Sequence, residues 1–123
     1  MTTYSDIFVE ASSELDLRSF SSQVFEIFGI ADFEERESSH YVDGHYFRSK
    51  ADDLQIKVTF TDDSDLDGYR FWLPISSTNE SIDAAALADT YAKKLSTAGW
   101  AAFVPAKDWN RKDWLGEGVR YDV

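Results

Sequence analysis

Between residues 54 and 75 the chain spells out a hairpin, and this feature constrains its fold more than any other. Leu54, Ile56, Val58 and Phe60 alternate with Gln55, Lys57, Thr59 and Thr61, a period of two that puts apolar side chains on one face of a strand and polar ones on the other. After the turn-rich Asp62-Asp63-Ser64-Asp65-Leu66-Asp67-Gly68, the pattern resumes as Tyr69, Phe71, Leu73 and Ile75. Two such runs joined by a short polar connection predict antiparallel neighbours. Pro74 interrupts the second run and points to an edge strand or a strand end.

Two helices with start and stop signals complete the core. Asp16 is placed to cap a segment whose stripe Leu17, Phe20, Val24, Ile27 and Phe28 runs to Gly29. In the second, Ser81 or Asn79 is the expected cap, Leu87, Tyr91 and Leu95 fall four apart, Lys93 and Lys94 suit the negative C-terminal end, and Gly99 stops it. Further strands are expected at Ile7 to Glu10, in one or two pieces at Phe33 to Glu37 and Tyr41 to Arg48, at Ala101 to Val104, and at Val119 to Val123. The predicted order is β-α-β-β-β-α-β-β: an α+β fold with a mostly antiparallel sheet of five or six strands and two helices on one face. The 123 residues fit a single domain.

Charge is distributed unevenly. The formal net charge is −11, of which residues 1–31 carry −4 and residues 32–67 carry −7, whereas 68–104 and 105–123 each sum to zero. Aromatics make up 15% of the chain, too many for a disordered acidic tail, so the charge belongs to a folded surface. A lopsided anionic surface attracts and orients a cationic partner and repels nucleic acid. No cysteine is present, so disulfides and thiolate metal sites are excluded. With no basic leader, and no apolar run of membrane-spanning length, a soluble cytoplasmic protein is expected.

Chemical motifs are sparse. Asp63-x-Asp65-x-Asp67-Gly68 matches the front half of a calcium loop, but the twelfth position is Pro74 where a bidentate Glu belongs. The segment therefore reads as an acid-rich turn whose crowded carboxylates would be relieved by an incoming Arg or Lys. His40 and His45 flank Asp43-Gly44; a two-residue turn there would pair Val42 with His45 and Tyr41 with Tyr46, placing both imidazoles on one sheet face. That arrangement leaves open a small enzyme or ligand-binding domain using the two histidines and nearby carboxylates. Trp109 and Trp114 suggest a structural loop pinned by its indoles. No cofactor motif occurs.

The stretch Glu35-Arg36-Glu37-Ser38-Ser39-His40-Tyr41-Val42-Asp43-Gly44-His45-Tyr46-Phe47, with the alternating strand and Tyr69-Arg70-Phe71-Trp72-Leu73 that follow, resembles the small acidic immunity proteins of bacterial polymorphic toxin and contact-dependent growth inhibition systems. The likeness covers the middle third of the chain. It implies a cytoplasmic inhibitor without catalytic activity that binds the toxin domain of its own system, here a basic domain of nuclease type. The expected contacts are the carboxylates of Glu34, Glu35, Glu37, Asp43, Asp62, Asp63, Asp65 and Asp67, together with Tyr46, Tyr69 and Trp72. Alternation with Phe71 and Leu73 leaves two placements for Trp72: facing away from the core beside Arg70 as a contact residue, or packed under a helix or loop.

Overall fold

The computed structural model describes residues 2–39, 44–51, 53–61, 68–106 and 116–123. Seven strands and two helices follow one another as β1 (Thr3–Val9), α1 (Leu17–Ile27), β2 (Glu34–Glu37), β3 (His45–Ala51), β4 (Leu54–Phe60), β5 (Phe71–Ser77), α2 (Ala84–Thr97), β6 (Ala102–Pro105) and β7 (Gly118–Tyr121). They form one sheet, ordered β2-β3-β4-β5-β1-β6-β7, in which every pairing is antiparallel. The α+β class holds, but the strand count exceeds the expected five or six. Four strands, not three, separate the helices, because the stretch from Phe33 to Arg48 contributes two.

Alternation decides which side chains the helices cover. Ile7, Val9, Phe47, Ile56, Val58, Phe71, Leu73 and Ile75 point to one face and join Phe20, Val24, Phe25, Ala88, Ala92 and Leu95 of the helices in a single buried cluster. Phe20 lies on Phe71 with ring centroids 3.9 Å apart and meets Trp100 edge-on at 5.1 Å. The alanines of α2 let its backbone approach β1 closely, as their number in the sequence suggests. On the opposite face a smaller cluster forms, in which Tyr69 and Trp72 pack against Phe8 and Phe103.

The hairpin from β4 to β5 is present, with Ile56 opposite Ile75 and Thr59 opposite Trp72. Pro74 corrects one expectation, since β5 is the middle strand of seven. Its missing amide is directed at β4, and the ladder between the two strands is interrupted between Ile56↔Ile75 and Thr59↔Trp72. Pairing with β1 on the other side continues without a break from Thr3↔Ser77 to Val9↔Phe71.

Helix starts divide into one local and one tertiary solution. Asp16 accepts the Ser19 amide at 2.7 Å and caps α1 as expected, and Gly29, at φ +74°, closes it. Neither Ser81 nor Asn79 caps α2: the N-cap is Asp83, whose side chain makes no cap bond, and the Asn79 amide oxygen accepts from Ser81 N–H instead. Thr3 of β1 takes over, its Oγ1 accepting the Ala84 amide at 3.0 Å.

Candidate partner-binding surface

Strand β2 forms one edge of the sheet, and all four of its residues are exposed. Because alternate residues face opposite sides, Glu34 and Arg36 lie on the face away from the helices, whereas Glu35 and Glu37 lie on the helix side. Two of these acids are engaged within the molecule. Glu34 accepts from Arg48 and pairs with Arg36, and Arg48 holds the Glu34 carboxyl below the usual carboxylate range. Arg18 of α1 donates to Glu35. Glu37 makes no ion pair among the described residues.

The expected two-residue turn that pairs Val42 with His45 is not formed. His45 stands opposite Glu37 and Tyr46 opposite Arg36, so the connection from β2 to β3 runs over residues 38–44, longer than a two-residue turn. Ser38 N–H donates to the Gly44 carbonyl across the base of this loop. His45 projects to the helix side, its Nδ1 3.5 Å from Glu35 Oε2. His40 and Asp43 lie outside the described residues, as do Asp62, Asp63, Asp65 and Asp67 of the acid-rich turn and the Trp109–Trp114 segment. Among the described residues no group of three His, Cys, Asp or Glu is arranged to hold a metal ion.

Strands β2, β3 and β4 are contiguous at one end of the sheet, and α1 packs on β3 and β4, while β6, β7 and much of α2 occupy the other end. The described residues between 14 and 61, which belong to that flank, hold eight acids against five basic residues, a net −3. Within the flank the away face differs in sign. Arg36, Arg48, Lys50 and Lys57 share it across three neighbouring strands, leaving Glu35 and Glu37 on the helix side.

Of the expected aromatic contacts, Tyr46 stands opposite Arg36 of β2, whereas Trp72 and Tyr69 do not adjoin the β2 acids. Trp72, on central strand β5, is half-buried, parallel to the Phe8 ring at 6.2 Å, and donates its indole N–H to Asp6 at 2.8 Å. Three strand spacings, roughly 14 Å, separate β5 from β2. Tyr69 stacks on Phe103 at 5.6 Å, and its hydroxyl accepts from Arg120. Arg120 also donates to Glu10 and Asp122, which holds its guanidinium far above the ordinary arginine value. Tyr46 is buried, with the Lys57 ammonium 5.4 Å from its ring centroid. Arg70 does not accompany Trp72: it precedes β5, lies over the Phe60 and Phe71 rings, and donates to the Leu15 carbonyl at 2.9 Å.

Between β1 and β6 the sheet opens into a groove of about 1120 Å³ that sequence reading missed, with Tyr4, Asp6, Lys57 and Trp72 on one side and Pro105 and Val119 on the other. Its rim carries two exposed apolar side chains, Tyr4 at 71% and Val119 at 54% of full exposure. The one local signal for it was Pro105, which ends β6 early; the rest depends on which strand lies beside β1. No protein-family model matches the chain, and comparison with curated proteins and with solved structures found no match.

Proposed function

We propose that this chain is a binding protein without catalytic activity, of the toxin-neutralising immunity type, whose partner is a cationic protein domain of nuclease type. The observation that supports this reading is the weight of acid in the first half of the chain, where residues 32–67 carry −7 of the net −11, together with the exposed edge strand β2 and its acids Glu34, Glu35 and Glu37. Such a field steers a basic partner during encounter, and half-buried Trp72 and exposed Tyr4 offer rigid contact area once it has arrived. Glu34 and Glu35 would exchange their internal arginines for those of the partner, so they set orientation more than affinity. Glu37, which makes no ion pair among the described residues, supplies unmatched charge, and the acids Asp62, Asp63, Asp65 and Asp67 add to it by sequence. The inhibitor acts in the cytoplasm, where a toxin domain meets its nucleic-acid substrate.

Purification of the tagged protein from its native host tests this directly. One basic protein at one-to-one stoichiometry is expected, and co-expression should abolish the growth arrest which that protein's basic domain causes alone. Weak recovery of many unrelated basic proteins would instead mark a general acidic adaptor, and a partner whose toxicity persists on co-expression would defeat the reading.

A further inference from the structure

We infer that the groove between β1 and β6 is a strand-acceptor site, taking an extended segment of the partner that alternates apolar and basic residues. This rests on the binding-protein reading but concerns how contact is made. In an antiparallel strand, alternate residues direct both backbone groups to the same side. Glu10 N–H donates to the Ala101 carbonyl of the chain leading into β6, and Phe8 stands opposite Phe103. The even-numbered residues of β1 therefore face β6, and the odd-numbered ones face β5. Register with β5 covers all seven residues, but register with β6 covers only Phe8 and Val9.

The cause lies at Pro105. Continuing the register would set it opposite Asp6, where it has no amide to donate, and β6 ends there. One step further, the amide and carbonyl of Tyr4 open onto the groove with no backbone partner among the described residues. Groups of this kind are completed by a strand and not by a compact ligand, with main-chain bonds giving affinity and alternate side chains giving specificity. An added strand would send one set of side chains toward Tyr4 and Trp72, which suits apolar residues. Its other set would point to the helix side, where Asp83 lines the groove with a carboxylate that makes neither a cap bond nor an ion pair among the described residues. That set suits basic residues, in keeping with a cationic partner.

A heptapeptide alternating valine and lysine serves as the probe, read by amide hydrogen exchange and by titration. Saturating peptide should slow exchange of the Tyr4 amide by roughly tenfold or more. Tyr4→Pro removes a donor that β5 does not use, so the fold should persist while peptide affinity falls by about tenfold; Tyr4→Ala should retain most of it. Should Tyr4→Pro fail to fold, a peptide N-methylated on its β1-facing amides replaces it and should not bind. Peptide binding that leaves Tyr4 unprotected, or that survives both modifications, overturns the inference. Tyr4 protection in the free protein overturns it too: concentration-dependent protection means that a second copy fills the edge, and concentration-independent protection means that the chain itself does. If the native partner binds Tyr4→Pro as tightly as the unmodified protein, strand addition fails and the inhibitor reading stands. If no native partner exists, the inhibitor reading fails while the peptide experiment still decides the chemistry of the groove.

Discussion

At Asp16 one carboxylate accepts both the Ser19 amide and the Ser19 hydroxyl, and these bonds hold its pKa below the ordinary 3.8. A depressed folded-state pKa stabilises the native state above the unfolded value and ceases to do so as pH falls through the folded one. Asp16→Ala should therefore be less stable than the unmodified protein at neutral pH, and the gap should close in acid below that range; urea titrations across pH would show it. Phe20 is a packing residue with no polar function, fully buried between Phe71 and Trp100. Phe20→Ala should cost about 3–5 kcal/mol, read as a lower urea midpoint at unchanged slope. Gly118 is required for a different reason: a Cβ there would lie 2.5 Å from the Val104 carbonyl oxygen and 2.6 Å from the Phe103 ring. Gly118→Ala should lower the thermal midpoint and disturb the aromatic cluster of the away face, visible in the near-ultraviolet circular dichroism spectrum.

Elements in this fold depend on one another for completion. Helix α2 has poor local start signals, and its first amide is satisfied by Thr3, 81 residues earlier in the chain. Thr3→Val should cost about 1 kcal/mol and raise hydrogen exchange in the first turn of α2 more than in α1. Helix α1, by contrast, carries its own cap, and its boundaries could be read from Asp16 and Gly29. Strand β5 shows how context overrides a local rule. Proline is tolerated in a central strand here because Pro74 withholds an amide from β4 only, while the ladder to β1 on its other side is whole. The β2–β3 connection misled for a related reason: Asp43-Gly44 is a turn signal over two residues, but the strands pair with Glu37 opposite His45 and Glu34 opposite Arg48, a register carried by the whole ladder and not by the dipeptide.

Across the whole molecule, the charge asymmetry has a kinetic consequence. Asp63→Asn combined with Asp65→Asn removes two charges from the acidic first half of the chain, so association with a basic partner should slow and its dependence on ionic strength should flatten, with dissociation little changed. Stopped-flow association at several salt concentrations measures this, and unchanged on-rates would remove steering from the account. The ion pairs of Glu34 and Glu35 should make their own neutralisation less effective than that of Glu37, since each also releases an internal arginine. Comparing Glu34→Gln with Glu37→Gln in the same assay separates charge already matched from charge with no ion pair among the described residues.

Sequence alone determined what depends on near neighbours: the α+β class, the alternation of β4 and β5, the start and end of α1, and the weight of acid in the first half. Periodicity and capping act over a few residues, so they are legible without coordinates. Tertiary structure decided what depends on distant pairing. It divided the acids of β2 between two faces and matched Glu34 and Glu35 to arginines, drew Trp72 onto Phe8 and Asp6, and supplied the cap of α2 from β1. Above all, it inserted β1 between β5 and β6, with a register to β6 that covers only Phe8 and Val9 and a groove lined by Asp6 and Pro105 beyond it. No local pattern encodes which strands become neighbours, because that choice is made by burying one apolar face for the whole sheet at once.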